Sequence, residues 1–140
     1  DRGLADTNSL NVAINTFQAC KYIGLPECGV HLTECVIYLA STPKSNSVYV
    51  AQEKAKKLIK KTGNLPVPLQ IRNAPTKLMK DLHYGEDYQY AQDSPDKLTN
   101  MKTMPPEIED EVFYHPSDQG NEIRFKKRLV QIKAWHEKHG

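Results

Sequence analysis

The sequence predicts an all-α domain: a helical bundle carrying a long irregular segment and at most one small two-stranded ribbon. Three observations predict it. Apolar residues recur at helical spacing through three stretches of the first 63 residues, and a further amphipathic stretch ends the chain. Seven of the nine prolines fall between residues 64 and 118, where no long helix can run. At 140 residues, with 39% hydrophobic and 26% charged side chains, the chain has the balance of one globular domain. A core of that size buries roughly two-thirds of the unfolded surface without a disulfide or metal. The expected layout is a single domain over 1–140: a helical hairpin stack (1–63), an irregular segment with short helices (64–118) and a C-terminal helix (119–140).

Asp6 and Thr7 offer oxygens to cap the first helix, whose apolar stripe is Leu10, Ala13, Ile14, Phe17 and Cys20. Gly24 ends it and Pro26 forbids continuation. Cys28, Leu32, Cys35, Val36 and Leu39 form the second series, stopped at Thr42-Pro43 because a residue before proline leaves the α region. Pro43 is expected in the first turn of the third helix. That helix turns Val48, Ala51, Ala55, Leu58 and Ile59 inward and ends on Lys60-Lys61-Thr62-Gly63, which suits the helix dipole and a left-handed cap.

Leu65-Pro-Val-Pro68 must run extended, and a short helix over 76–82 should be capped by Asn73 or by the Ala74-Pro75 step. Alternating Tyr84, Tyr88 and Tyr90 give a weak strand signal, and Glu111–His115 is the segment that would pair with it. One helical turn is expected near Pro106–Glu109. The last helix, from Gly120 to about His139, carries Ile123, Phe125, Leu129, Ile132 and Trp135.

Mean hydropathy is −0.64 and the longest apolar run, Cys35–Ala40, is far short of a membrane span. The start at Asp1, without Met or a basic-then-apolar leader, reads as a domain cut from a longer parent, and no signal peptide is expected. Three cysteines, an odd number at low density, favour a reducing cytosolic compartment. The net charge of +2 is too small to argue for nucleic acid by itself.

Most site chemistries are missing. The seven glycines form neither a G-x-x-x-x-G-K-[ST] nor a G-x-G-x-x-G loop, so nothing cradles a nucleotide phosphate. Cys28, His31 and Cys35, with Cys20 as a fourth, tempt as a zinc set. They fall among apolar positions of predicted helices without a C-x-x-C turn, and read as small buried residues plus one helix-face histidine. No serine or cysteine stands in a nucleophile setting, and His115, His136 and His139 have structural or surface roles. Glu107, Glu109, Asp110 and Glu111 form a solvated acidic face. No catalytic, cofactor or metal residues are assigned.

Two basic clusters remain: Lys54, Lys56, Lys57, Lys60 and Lys61 on the third helix, and Arg124, Lys126, Lys127, Arg128 and Lys133 on the last. Either is a solvated face or a phosphate-tracking patch; Lys54, Lys57, Lys60 and Lys61 are the DNA-contact candidates. Apolar residues off the main stripes, Val12, Ala19, Tyr22, Val30, Ile37 and Tyr38, are the candidates for an oligomer interface. In the irregular segment, Arg72, Asn73, Pro75, Thr76 and Lys77 form a latch that either satisfies buried backbone or faces a partner.

Several runs carry a resemblance: Gly3–Asp6, Ile23–Cys28, Val36–Asn46 with its Pro-Lys-Ser-Asn step, Leu69–Lys80 with Arg-Asn-Ala-Pro-Thr-Lys-Leu-Met-Lys, and Tyr84–Ala91. In that order they resemble the C-terminal region of the RarA/MgsA family of AAA+ ATPases, whose eukaryotic relative is the Werner-helicase-interacting protein. The likeness covers nearly the whole chain. It implies a clamp-loader-like post-AAA+ domain that assembles homotetramers of a DNA-stimulated ATPase acting at stalled replication forks. It also implies that ATP and Mg belong to an AAA+ module outside this chain, and that this chain is no enzyme. Partners implied for the parent are DNA and single-stranded-DNA-binding protein, in a nucleoid-associated cytoplasmic setting. The rival role is DNA binding or partner recruitment through the basic face at Lys54–Lys61. Gln70 and His83 stand where histidine and glycine are common in the family, so the turn before Tyr84 is expected to differ.

Overall fold

The computed structural model describes residues 2–140 and is all-helical, with no strand among the described residues. Five α-helices follow in order: α1 (Ser9–Ile23), α2 (Gly29–Ser41), α3 (Ser47–Thr62), α4 (Lys77–Asp81) and α5 (Glu122–His139). Single 3₁₀ turns occupy Gly3–Ala5, Leu69–Ile71, Ala91–Asp93 and Pro106–Ile108. The chain divides into two units. The first runs to Glu53 and takes up Tyr114–Lys127; the second holds Lys54–Phe113 and Arg128–Gly140.

In the first unit α1 and α2 pack on each other as a hairpin pair joined through Gly24. Gly24 sits at φ 77 and donates its N–H to Cys20 O, ending α1 as its sequence position predicts. Every buried residue among those described lies in this unit: Ala5, Ser9, Cys28, Ser47 and Glu122. Three are polar, and they explain how the segments are tied. The fully buried Glu122 carboxylate, at the first position of α5, accepts from the Ser47 hydroxyl at the start of α3 and from the Ser117 N–H. Asn121 N–H donates to Ala5 O at 2.9 Å. Gly120, at φ 49, is required there: a β-carbon would lie 2.2 Å from Ala5 O and 2.6 Å from Pro43 Cγ. Arg2 closes the other side by donating to Leu39 O and Thr42 O at the end of α2, whose carbonyls lack helical partners.

In the second unit the extended 64–68 run leads into the Leu69–Ile71 turn. Gly85 N–H reaches back to Leu69 O at 2.7 Å, while Arg72 donates to Val67 O and its guanidinium lies 5.0 Å from the Tyr84 ring centre. Lys54 donates to Val112 O at 2.6 Å and pairs with Glu111 at 2.9 Å, its ammonium 5.6 Å from the Phe113 ring centre. Trp135 donates its indole N–H to Asp96 at 2.8 Å and stacks on His139.

Four local expectations are corrected. The two-stranded ribbon does not form among the described residues: Tyr88 N–H turns back to Gly85 O and Gln89 N–H meets Met101 Sδ, while Glu111 N–H is spent on Ile108 O. Asp6 does not cap α1, because its carboxylate accepts from the Ser9 and Tyr38 hydroxyls. Thr76, rather than Asn73, caps α4 by accepting from Met79 N–H. Pro43 lies outside α3, which begins four residues later, where Ser47 N–H finds Ser45 Oγ. The turn before Tyr84 is built with His83 itself in the left-handed region, at φ 63 and paired with Glu86.

Candidate association surface

Hydrophobic burial on α1 follows the sequence pattern only in part. Of the expected inward stripe, Ala13 and Cys20 are half-buried, while Leu10, Ile14 and Phe17 are 71%, 52% and 66% exposed. The half-buried side of α1 is Val12, Ala13, Thr16, Ala19 and Cys20. Taking 100° per residue, the exposed stripe points roughly 130° away from that side. On α2 the residues turned inward are Cys28, Cys35 and Leu39, buried or half-buried. Val30 and Ile37, roughly 170° away on the same wheel, are 73% and 61% exposed. Leu32 and Val36 are also exposed on the flank of α2. Among the described residues α1 and α2 pack on each other and each leaves an apolar face exposed.

The outer side of α2 is indented. A cavity of 730 Å³ opens among Pro26, Gly29, Val30, Ile37 and Tyr38, with Glu34 as its one charged side chain. Across α1 the absence of charge is stronger: no Asp, Glu, Lys, Arg or His occurs between Ser9 and Cys20. A solvent-facing helix face is normally charged. An exposed, charge-free, apolar stripe is a candidate contact surface.

The expected interface residues are therefore split. Val30 and Ile37 lie on the open face of α2 and Tyr22 is exposed near the end of α1. Val12 and Ala19 are half-buried on the packed side of α1. Tyr38 is half-buried with its hydroxyl bound to Asp6. Leu10, Ile14 and Phe17, which periodicity assigned to the core, are exposed and join the candidates. The sequence signal that sets them apart is the missing charge on the rest of the helix.

The remaining candidates are placed as follows. Lys57, Lys60 and Lys61 are exposed toward the end of α3, with no ion pair among the described residues, whereas Lys54 is held by Glu111 and Val112 O. In the latch, Arg72 is half-buried and bound to its own loop, Thr76 caps α4, and Asn73, Pro75 and Lys77 are exposed. The Cys20 thiol neighbours the Cys28 and Cys35 thiols; burial, then the Cys28 hydrogen bond, pushes it up from its ordinary value. Among the described residues no group of three or more His, Cys, Asp or Glu is placed to hold a metal ion. Among the described residues no helix is long and apolar enough to cross a membrane.

Comparison with known proteins adds the family. The family model described as MgsA AAA+ ATPase C terminal matches residues 1–133. Replication-associated recombination protein A of Coxiella burnetii is 38% identical over 140 residues, covering 99% of this chain and 32% of its own length. The Escherichia coli K12 protein of that name is 35% identical over 133 residues, 94% of this chain and 30% of its own. ATPase WRNIP1 of Dictyostelium discoideum is 41% identical over 116 residues, 81% of this chain and 13% of its own. The chain thus spans about a third or less of these relatives.

Proposed function

Because the chain belongs to the family of MgsA AAA+ ATPase C-terminal domains, we propose that it is the self-association module of an ATPase of replication-associated recombination. One observation carries this reading: α1 and α2 expose an apolar stripe each, and the α1 stripe lies on a stretch without charge. A soluble surface does not keep such faces bare. Four copies, joined through this hairpin, would gather four ATPase modules around one centre. ATP binding and hydrolysis, with Mg, then belong to the parent's AAA+ module, and fork maintenance to the assembled parent with its DNA and single-stranded-DNA-binding protein partners.

The test is the solution mass of the 140-residue chain by light scattering behind a sizing column, over a range of loading concentrations. The expected mass is four times 15.9 kDa. A chain that stays at 15.9 kDa at every concentration overturns the reading.

A second reading is favoured by the exposed Lys57, Lys60 and Lys61, which leave ammonium groups available for phosphates. In it, each copy adds a weak DNA contact and the assembly multiplies them. Replacing the three by Glu should lower DNA retention and flatten its salt dependence by about 0.7–0.9 log units for each phosphate no longer neutralised. Unaltered retention refutes it.

A further inference from the structure

The geometry points to a binding surface in the second unit: residues 98–103, with the two cavities that meet along them, seat an extended, lysine- or arginine-bearing segment of a partner protein, paired main chain to main chain. This surface does not depend on the self-association reading.

The first argument is unspent backbone. Residues 98–103 contain neither turn nor bend, so the run is straight. Among the described residues none of its main-chain N–H or C=O groups enters a main-chain hydrogen bond. Side chains hold it in place instead. Gln70 donates its amide to Lys102 O, and Gln89 N–H meets Met101 Sδ at 3.4 Å. Lys102 reaches Glu109 at 2.8 Å, and Asn100 donates to His139 O. Leu98, Thr99 and Met101 are half-buried. A straight run fixed by its side chains keeps most of its main-chain donors and acceptors for a strand laid beside it. Its ordering is already done before the partner arrives, which favours binding.

The second argument is room. A cavity of 410 Å³ and another of 360 Å³ share Met101 and Lys102 in their walls. Both therefore open beside the run, where the side chains of an added strand would fall. The flexible thioether of Met101 can shift to fit them.

The third argument is charge, and it selects the occupant. Glu86 and Asp87 line the first cavity, Glu109 and Asp110 the second. Against these four carboxylates stands one ammonium, Lys102, which Glu109 already pairs. The two ring nitrogen groups present are His83, which pairs with Glu86, and His136. Asp87 and Asp110 are in no ion pair among the described residues. On a chain of net charge +2 this is a local reversal of sign. It repels the phosphates of a nucleic acid and draws in cationic side chains. Lysine and arginine also have apolar stems long enough to reach into a cavity while the main chain stays on the run.

The experiment uses the 140-residue chain and the fluorescence anisotropy of a blocked, labelled peptide that alternates lysine and threonine. One comparison peptide has glutamate for lysine. Another has every main-chain nitrogen methylated, which removes the donors and keeps the charges. The variants are Asp87→Asn, Asp110→Asn and their double, with Asp118→Asn in the first unit as the control for net charge. Asparagine keeps the shape and tolerates the left-handed φ of 62 at position 87; circular dichroism checks that helicity holds.

The lysine peptide should bind, and its glutamate and N-methylated forms at least about tenfold more weakly. Asp87→Asn and Asp110→Asn should each weaken it by about two- to fivefold, and Asp118→Asn should leave it unchanged. A lysine peptide that does not bind, or an N-methylated form that binds as well, overturns the inference. So does an undiminished affinity in the double variant, which places the peptide elsewhere, or an equal loss in Asp118→Asn, which reduces the effect to general attraction. A labelled single-stranded oligonucleotide should bind the Asn variants no more weakly than the unaltered chain. Weaker binding would make this face a nucleic-acid surface and overturn the inference.

Discussion

Replacing Gly120 by Ala should be the most damaging single-methyl change in the first unit. The residue sits at φ 49, where an L side chain costs about 1–2 kcal/mol. Its β-carbon would stand 2.2 Å from Ala5 O and 2.6 Å from Pro43 Cγ, distances no real contact shows. Neither neighbour is a flexible side-chain tip: one is a backbone carbonyl, the other a proline ring. The turn must therefore withdraw, and the Asn121 N–H···O Ala5 hydrogen bond of 2.9 Å goes with it, at about 1 kcal/mol. Lifting that turn also strains the bonds from Ser47 and Ser117 to the buried Glu122 carboxylate. The total expected is about 3–4 kcal/mol.

The control is Gly63→Ala. Gly63 has φ 69 and nothing within 4 Å of an added β-carbon, so only the backbone cost of about 1–2 kcal/mol applies. Both variants are unfolded in urea, followed by circular dichroism at one fixed protein concentration because assembly adds to apparent stability. Gly120→Ala should be destabilised by at least about 1.5 kcal/mol more than Gly63→Ala, through the clash and the broken hydrogen bond together. Equal losses would refute the claim that close approach, rather than backbone conformation alone, fixes glycine at 120.

Three further outcomes are expected. Tyr114→Phe should leave stability unchanged or raised by about 1 kcal/mol, since the buried hydroxyl lies near Ser47 and Glu122 but makes no hydrogen bond of ordinary geometry among the described residues; a loss above about 1 kcal/mol in urea unfolding would show that the Ser47 contact holds it. Acid should weaken the first unit. Burial pushes the Glu122 carboxyl up, but the Ser47 and Ser117 hydrogen bonds outweigh it and leave it below its ordinary value; the Ser9 hydrogen bond does the same for Asp6, against burial. Their stabilisation is full above the unfolded carboxylate range and lost as pH falls through the lowered folded values. Thermal midpoints from about pH 7 to 3 should therefore fall less steeply for Glu122→Gln than for the unaltered chain, and parallel curves would dismiss Glu122 as the titrating group. Lys54→Ala should cost about 1 kcal/mol by removing the Val112 O bond and the Glu111 pair, while Lys60→Ala stays within about 0.5; a reversed order in urea would contradict the packing role of Lys54.

What the sequence made legible was local. Gly24 and Gly63 end α1 and α3 where left-handed caps were expected, and the Thr42-Pro43 step ends α2 because that rule concerns adjacent residues only. What it hid was competition at a distance. Asp6 had the right chemistry for a cap but found two hydroxyls, one from a residue 32 positions away. Glu122 looked like an ordinary first-turn carboxylate and became the buried tie between α3 and α5, through a serine 75 positions away.

The association surface shows the same limit in a form that points further. A 3.6-residue period reports that a helix has an apolar side; it does not say whether the chain itself or a neighbour covers that side. On α1, both the stripe read as core and the residues read as outer face are largely apolar, so periodicity alone has two solutions. Charge breaks the tie. A helix that only lines its own core can place lysine and glutamate on its far side at no cost, and usually does. One that is covered on both sides cannot, because a charge buried without a partner costs several kcal/mol. Ser9–Cys20 carries none, and its far side is Leu10, Ile14 and Phe17. The missing charge is thus what the proposed association would require of that face, and it is the feature of α1 that periodicity alone does not report.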